Sequence, residues 1–529
     1  MTLSKDHREF AYSGVSHLDY KQVDMDRVLT GLLPLLRWDG QASRRRSDPN
    51  FTVDTFVDAM LAHPDLFEGF DRDTAYRWAE THLLDLVNRG TPRQAVAGPR
   101  PLHGFTYLFR VAKHSRAYGA DEQLYWMMRG APGGPQTLEW LKRYLFAGIE
   151  RSTDLLVPAG GEEIDVETQA LINLWLADGD EVADRPVKED GRRVYAPYDP
   201  HAAELLVEDL GGLLYHKDRM PRSVMIDHLK ILFAFHLSRY HLLLLKSVPA
   251  KLSGADSAPG GFFLDVESAP GDTARLAERS ARTWYDRIPD FVRGVFELRK
   301  LEEFTQIPAG ANRVRSKPGH GLSANELLVL RAKTHKTALE AFGHSRLISL
   351  QEDLKDAEPD PELTDLFDLG LDPFTTYVEA ISALRVSFHR KYIVQALDSL
   401  MLKRRPGAMI AQPHRGVRRF VLDSGLLEVL LQVTLLRETP GGRGRSTQPM
   451  RIDDFLDVLK ERYGLHIDTL PPGDGFDRAG VDDQAALRAN REALVDRLRQ
   501  IGYYRDLSDA YLTQTITPRY SVDTEGSQV

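Results

Sequence analysis

Residues 224–249 read VMIDHLKILFAFHLSRYHLLLLKSVP, the most apolar stretch of the chain. Charged side chains and histidines interrupt it at Asp227, His228, Lys230, His236, Arg239, His241 and Lys246. A membrane-spanning helix needs about 18–20 residues with few charges, so this stretch is too polar to cross a bilayer. Because it is apolar nearly all round, it predicts a helix buried in a protein core. We therefore expect a helical, cytoplasmic protein that has no membrane partner.

Helical patterns recur on both sides of this stretch. Asp71 or Asp73 can cap a helix whose apolar residues continue at helical spacing to Val87. Ser323 and Glu326 have the spacing of a capping box, in which each side chain binds a free amide of the first helical turn. The fold class that we predict is mainly α: a multi-domain helical protein with a C-terminal winged helix-turn-helix-like module.

The length of the chain bears on its domain organisation. A chain of 529 residues is longer than a single hydrophobic core usually supports, which is about 250–300 residues. We expect an N-terminal helical domain at 1–155, a linker or boundary region at 156–200 and a central helical domain at 201–419. A winged-helix-like domain at 420–520 and a disordered tail at 521–529 would follow.

Composition and charge limit the possible function classes. The formal net charge of −9 argues against a protein that is coated in basic side chains, although one basic face on an acidic body remains possible. The chain has no cysteine, which excludes disulfides, thiolate catalysis, zinc ribbons and iron–sulfur clusters. Any metal site would need histidine and carboxylate ligands, and we predict no cofactor.

The last hundred residues follow the element order of a winged helix-turn-helix. Apolar periodicity predicts helices at Leu426–Leu436, Ile452–Tyr463 and Asp482–Ile501, a short strand at Leu465–Ile467 and a hairpin at 503–516. In such folds the third helix can enter the major groove of DNA while the hairpin follows the backbone. Many winged helices instead bind proteins, so a scaffold that docks another polypeptide is the alternative.

Basic residues in this segment are the candidate DNA contacts. They lie on the third helix, at the ends of the hairpin and in a glycine-rich loop, and they are Arg488, Arg491, Arg499, Arg505, Arg519, Arg443 and Arg445. Asn490 and Arg497 lie on the same helix. Guanidinium groups suit phosphate oxygens through their charge and their N–H donors.

A second basic region precedes this segment, at residues 385–419. Its densest part is Lys403, Arg404 and Arg405, and between Val386 and Arg419 the only acid is Asp398. Tyr392 and His389 could stack on bases, and such a surface would bind phosphates with a strong dependence on salt. The alternative is a solvated helix face whose basic residues favour the helix C-terminus.

Candidate catalytic and metal-binding residues are few. Three histidines lie on the buried helix, namely His228, His236 and His241, and no HExxH motif accompanies them. Asp265 and Glu267 share one face of a predicted strand at 262–267, which resembles half of a metal-nuclease site without its lysine. We predict no catalytic residue and no metal site, and a metal-dependent hydrolase or nuclease is a further alternative.

The C-terminal sequence carries a family resemblance. Residues 498–510 read LRQIGYYRDLSDA, residues 517–520 read TPRY, and residues 31–37 read GLLPLLR. These stretches resemble large helical accessory proteins encoded in bacterial anti-phage defence operons, of the methylation-associated and phosphorothioation-dependent restriction types. The resemblance implies a non-catalytic component that works beside a nuclease, helicase or methyltransferase. Its expected partners are DNA and the other protein subunits of a defence complex.

Overall fold

The computed structural model describes most of the chain. The described residues are 3–44, 51–87, 90, 95–147, 149–152, 155–158, 166–177, 185–187, 193–255, 260–307, 319–333, 336–355, 361–402, 404–412, 416–439, 444–473, 476, 480–504 and 515–523.

The fold is mainly helical, as the sequence predicts. The helices in the first half are α1 (Lys5–Arg8), α2 (Met25–Arg37), α3 (Val53–Leu61), α4 (Arg72–Trp78), α5 (Ala120–Gly130), α6 (Gly134–Leu145), α7 (Val166–Ala177), α8 (Pro200–Leu214) and α9 (Arg222–Ser253). Those in the second half are α10 (Asp272–Tyr285), α11 (Ile288–Gln306), α12 (Ala324–Lys333), α13 (Lys336–Leu354), α14 (Pro361–Asp368), α15 (Pro373–Met401), α16 (Ser424–Thr434), α17 (Ile452–Val458) and α18 (Val481–Gln500).

Short strands lie between these helices and pair with one another two at a time. They are β1 (Ser43–Arg44), β2 (Leu84–Val87), β3 (Ala95–Pro99), β4 (Ile149–Ser152), β5 (Leu155–Pro158), β6 (Arg185–Pro186), β7 (Phe262–Phe263), β8 (Ile410–Ala411), β9 (Arg419–Phe420), β10 (Leu436–Glu438), β11 (Arg445–Thr447), β12 (Met450–Arg451), β13 (Leu465–His466) and β14 (Thr515–Ile516). The pairs β1–β6, β2–β3, β4–β5, β8–β9, β10–β11 and β12–β14 are antiparallel. The pair β7–β13 is parallel.

Helix α9 lies at the centre of the packing, which confirms the buried helix predicted at 224–246. It contacts α2, α5, α8, α10, α11, α15 and α16. Most of its residues are buried, including the polar His228, His236 and His241. In the described residues, no helix has the combination of length and hydropathy that crossing a bilayer requires.

One hydrophobic core cluster contains residues from both ends of the chain, from Leu3 to Ile516. A second, smaller cluster joins α10 to α18 and consists of Phe263, Leu276, Ala277, Phe476, Ala486 and Leu487. The N-terminal and C-terminal segments therefore contribute side chains to the same core. The domain limits expected at residues 155, 200 and 419 stay a prediction.

Two local predictions are confirmed. The Ser323 amide and hydroxyl donate to Glu326 Oε2, each at 2.7 Å, and the Glu326 amide donates to Ser323 Oγ at 3.3 Å. The Asp71 carboxylate caps α4 by accepting the Thr74 amide at 2.8 Å.

Two other local predictions are wrong. The helix that starts after Asp71 does not reach Val87, because its last turn is a π turn at Ala79–Leu83 and residues Leu84–Val87 form strand β2. The alternating LDLV sequence pairs there with β3, and the tertiary pairing outweighs the helical periodicity. The strand expected at 262–267 is limited to β7, after which Asp265 forms an isolated bridge with Val421.

The C-terminal segment has its three predicted helices, α16, α17 and α18, and its short strand β13. A hairpin of β10 and β11 separates α16 from β12. Strand β14 pairs with β12, and Ile516 also bridges Tyr504 in the antiparallel sense. The predicted hairpin at 503–516 thus has described residues at its two ends, while 505–514 lie outside them.

Candidate nucleic-acid interface

The third C-terminal helix, α18, is held against the body of the protein by Asn490, which is fully buried. Its amide group donates to the carbonyls of Leu264 and Ile467, each at 2.8 Å, and its carbonyl accepts the Val266 amide at 2.8 Å. Asn490 therefore connects α18 to the chain after β7 and to the chain after β13. This side chain faces the protein interior and is not available to a base edge.

The other polar residues of α18 that face its neighbours are also engaged. Arg491 pairs with Asp453 and, at 3.1 Å, with Asp468. Arg497 donates to Ser424 Oγ at 3.1 Å and to the carbonyl of Val266 at 3.2 Å. These side chains consequently hold α18 to α16, α17 and the loop after β7.

The exposed face of α18 has mixed charge. Its exposed charged residues are Asp482, Arg488, Glu492, Asp496 and Arg499. Arg499 pairs with Asp496 at 2.5 Å. Three acids and two bases leave no net positive charge on this face, which is the charge that phosphate binding requires.

The remaining predicted DNA contacts fall into three groups. Arg519 pairs with Glu428 at 3.1 Å, and the Arg445 guanidinium lies 5.4 Å from the centre of the Tyr215 ring. Arg404 and Arg405 are exposed in the loop after α15. Lys403, Arg443 and Arg505 lie outside the described residues.

A basic and aromatic surface lies on α15. We call it the α15 face and define it by Arg385, Phe388, Arg390, Lys391 and Tyr392. Phe388 is 45% exposed, and its ring centre lies 4.6 Å from that of Tyr392. The Arg385 guanidinium lies 4.0 Å from the centre of the Phe388 ring, and the Lys391 amine lies 5.9 Å from that of Tyr392. Arg385, Phe388, Lys391 and Tyr392 thus lie on one side of the helix, whereas the 3.6-residue repeat places Arg390 on a different side, toward Asp286.

Carboxylates are scarce around the α15 face. Within the described part of the chain, no carboxylate oxygen lies within 4 Å of the Arg385 guanidinium or the Lys391 amine, and Arg390 reaches Asp286 only at 4.0 Å. Asp398, the one acid in the second basic region, pairs with Arg418 at 2.6 Å. Burial and the nearby Arg8 lower the pKa of Arg385. The positive charge of this face is thus largely uncompensated.

His389, expected to stack on bases, faces the interior instead and is 7% exposed. Its ring stacks on Phe10 with centres 4.0 Å apart and meets Phe296 edge-on at 5.3 Å. Burial, together with the charge of Arg385, lowers the pKa of His389 to about 3. The exposed aromatic residue at this point is its neighbour Phe388.

Helix α10 carries three further arginines, of which Arg275 pairs with Asp272 and Arg279 lies over the Phe476 ring. Arg275, Arg279 and Arg282 are exposed and share one face of this helix by their i, i+4, i+7 spacing. Two contacts connect α10 to the α15 region: Asp286 with Arg390 at 4.0 Å, and the Arg418 guanidinium over the Tyr285 ring at 4.9 Å. These three arginines lie outside the two basic regions predicted from the sequence, although their spacing is visible in it.

The sequence matches the family model described as "Methylation-associated defense system protein MAD7" over residues 5–520. The chain belongs to this family. The resemblance to methylation-associated defence proteins is thereby confirmed, and the protein is a component of such a system. Searches of curated proteins and of solved structures found no match.

The histidines of α9 in this MAD7-family protein do not converge on one point. His228 contacts Gln432 Oε1 at 3.3 Å, His236 contacts Asp209 Oδ2 at 3.0 Å, and His241 contacts Ser16 Oγ at 2.8 Å. Burial lowers the pKa of all three rings, and that of His241 falls to about 4. Each ring serves a different packing contact.

Asp265 and Glu267, the two acids that resemble half of a nuclease site, lie in different environments in this MAD7-family chain. Asp265 is fully buried, and Arg419 Nε lies 3.2 Å from its Oδ2 atom, whereas Glu267 is exposed. Burial raises the pKa of Asp265, and the amide of Ser268 and the charge of Arg419 oppose that rise. The Asp265 carboxylate thus serves an internal ion pair.

An acidic group elsewhere in the described residues has the spacing of metal ligands. Oxygens of Asp24, Asp26 and Asp85 all lie within 4.8 Å of one another. Arg27 bonds Asp85 at 3.2 Å and Lys230 bonds Asp26 at 2.8 Å. These two cations supply the positive charge that the carboxylates need.

Proposed function

We propose that this MAD7-family protein is a non-catalytic accessory subunit of its defence assembly that holds DNA on the α15 face. One observation carries the proposal: Phe388 is exposed between Arg385 and Tyr392, with Lys391 beside Tyr392, on a chain whose net charge is −9. Basic side chains interleaved with aromatic rings are the pattern of proteins that bind nucleic acid.

The exposed ring indicates which form of DNA is preferred. A base can stack on an aromatic side chain only when it is unpaired, and each such stack contributes about 1–3 kcal/mol. Phe388 is 45% exposed, and the Arg385 guanidinium lies over its ring, so a base that stacks here would meet both the ring and the cation. We therefore expect the α15 face to bind single-stranded DNA more tightly than duplex DNA.

The surrounding cations would contact the phosphates of the same strand. Arg390 and Lys391 are exposed on α15, and Arg404 and Arg405 are exposed in the loop that follows it. Helix α10 meets this region through Asp286 and Tyr285, and its exposed Arg279 and Arg282 would be further phosphate contacts. Each phosphate contact releases counterions, so the affinity should fall steeply as salt rises.

The C-terminal segment supports a second, protein-binding role. Its helix order, with β14 between β12 and Tyr504, is consistent with a winged-helix module. Asn490, Arg491 and Arg497 of its third helix serve internal contacts, which favours a module that holds protein surfaces together over one that reads DNA bases. Arg488, Arg499 and Arg519 would then be secondary DNA contacts at most.

A binding series tests the DNA proposal. Fluorescence anisotropy would compare a labelled single-stranded oligonucleotide with its duplex at salt concentrations from about 50 to 200 mM. We expect tighter binding of the single strand and a log–log slope of about −0.7 for each phosphate contact. No binding of either form at the lowest salt would contradict the proposal.

A copurification experiment tests the protein-binding role separately. The tagged protein would be isolated from cells that express the whole defence operon, with and without nuclease treatment. Partner subunits that stay bound after nuclease treatment, together with no affinity for DNA, would favour the scaffold function. Loss of all partners after nuclease treatment would favour DNA as the link between subunits.

A further inference from the structure

A cavity of about 150 Å³ lies where α18 meets the strands β8 and β9 and the start of α16. Its walls are formed by Ser268, Ala408, Ala411, Arg419, Val421, Leu422, Asp423 and Arg497. This volume is about half of the smallest pockets that take drug-sized ligands, which begin near 300 Å³. A ligand that fits here is small.

Two guanidinium groups line the cavity. Arg419 is 8% exposed, and it donates from Nη2 to the carbonyl of Ser268 at 3.2 Å. Its Nε atom is buried and makes no hydrogen bond within the described residues, although Asp265 Oδ2 lies 3.2 Å away. Asp265 Oδ2 is likewise buried and makes no hydrogen bond among the described residues, so Arg419 and Asp265 form a buried ion pair beside the cavity.

Arg497 adds a second positive charge without a carboxylate partner. It bonds only neutral acceptors among the described residues, which are Ser424 Oγ at 3.1 Å and the carbonyl of Val266 at 3.2 Å. No carboxylate oxygen of the described residues lies within 4 Å of its guanidinium. A half-buried cation of this kind attracts an anion into the cavity.

Two acids adjoin the cavity, and one of them, Asp423, is part of its wall. Asp265 accepts the Ser268 amide at 3.0 Å and faces Arg419. Asp423 caps α16 by accepting the Gly425 amide at 2.9 Å. These contacts engage both carboxylates and pair Asp265 with Arg419, so Arg497 is the lining cation that has no carboxylate partner among the described residues.

The backbone at the rim is in an unusual conformation. Ser268 and Ala408 have φ angles of 59° and 31°, in the left-handed region that residues other than glycine seldom adopt. Residues held in this way cluster at ligand clamps. Both residues line the cavity.

We infer that this cavity binds a phosphate group, either as free inorganic phosphate or as the terminal phosphate of a nucleotide. Guanidinium groups match the oxygens of phosphate with paired N–H donors, and a small tetrahedral anion suits the volume. Because Arg497 belongs to α18 and Arg419 to β9, the bound anion would fasten the C-terminal segment to the body of the protein. This inference does not depend on the α15 face.

Thermal unfolding in inorganic phosphate tests the inference. Phosphate would be titrated at constant ionic strength, with chloride as the reference anion. We expect a saturable rise in Tm for the wild-type protein, and an apparent Kd at least about tenfold weaker for Arg497→Gln. Arg488→Gln, an exposed arginine of the same helix, is the matched control and should keep the wild-type response.

A second pair of variants leaves the arginines in place. Ser268→Asp adds a carboxylate at the rim and should abolish the response to phosphate, whereas Ser268→Asn, of nearly equal shape, should keep it. A wild-type Tm that does not depend on phosphate would overturn the inference, as would an unchanged response in Arg497→Gln and Ser268→Asp.

A comparison of ligands identifies the source of the phosphate. A nucleoside 5′-monophosphate would be titrated beside the unphosphorylated nucleoside and inorganic phosphate. Stabilisation by the nucleotide and by phosphate identifies a phosphate ester as an acceptable ligand, and stabilisation by inorganic phosphate alone identifies the free ion. Equal stabilisation by the nucleoside and the nucleotide would contradict recognition of phosphate.

Discussion

Helices α15 and α18 both carry several basic residues, but the contacts of these residues differ. On α18, Arg491 meets Asp453 and Asp468, which come from other segments, and Arg499 meets Asp496. On α15, Arg385 and Lys391 meet aromatic rings; Lys391 is exposed together with Phe388, and Arg385 is half-buried. A basic helix therefore becomes a surface for anions only where the fold brings few acids to it.

The largest expected effect is on stability, through the buried contacts that Asn490 of α18 makes. Asn490→Ala removes three buried hydrogen bonds and leaves the Leu264 and Ile467 carbonyls and the Val266 amide without partners. We expect the free energy of unfolding to fall by about 3 kcal/mol or more. Urea denaturation measures this loss, with the exposed Arg488→Ala as the control, which should change stability by less than about 0.5 kcal/mol. Equal stability of both variants would show that α18 is not fastened through Asn490.

The next largest effect is on the affinity of the α15 face for single-stranded DNA. Phe388→Ala removes the exposed ring of the α15 face, so we expect binding of single-stranded DNA to weaken by about 5- to 100-fold. Stability should change little because Phe388 is 45% exposed. Anisotropy titration with single-stranded DNA checks the loss. Binding that equals wild type would exclude stacking on this ring.

A smaller effect separates ion pairing from DNA binding on α18. Arg491→Gln loses its contacts with Asp453 and Asp468, and because the arginine side chain is 36% exposed we expect a loss of stability below about 1 kcal/mol. Its affinity for DNA should stay at the wild-type value. A marked fall in affinity at unchanged stability would reassign Arg491 to the DNA interface.

The smallest effect concerns pH. The cations of the α15 face are arginine and lysine, and His389 stays neutral because burial and Arg385 lower its pKa to about 3. Affinity for single-stranded DNA at fixed ionic strength should therefore vary by less than about twofold between pH 6 and 8. A steep rise in affinity toward pH 6 would mean that a titrating histidine belongs to the interface.

Much of the fold follows from local sequence patterns. The apolar run at 224–249 predicts the buried α9, and the spacing of Ser323 and Glu326 predicts their capping box, because both depend on residues close together in the chain. The three C-terminal helices were predictable for the same reason. Leu84–Val87 was not, because its strand depends on pairing with β3.

The candidate site was predictable only in part. Basic character at 385–419 is visible in the sequence, yet whether Phe388 or His389 faces solvent depends on the packing of Phe10 and Phe296 against α15. The same limit applies to α18. Its partners Asp453 and Asp468 come from other elements, and β13 pairs with β7 about two hundred positions earlier in the chain.

The most direct test of the account compares two charge reversals of equal size. Arg390→Glu with Lys391→Glu alters the α15 face, Arg488→Glu with Arg499→Glu alters α18, and each double variant removes an ion pair that the structure shows, Arg390–Asp286 or Arg499–Asp496. Both variants and wild type would be titrated with single-stranded DNA at one low salt concentration, after circular dichroism has verified their folding. We predict at least about a tenfold loss of affinity for the α15 variant and less than about a threefold loss for the α18 variant. A larger loss for the α18 variant would contradict the account and move the DNA interface to the C-terminal helix.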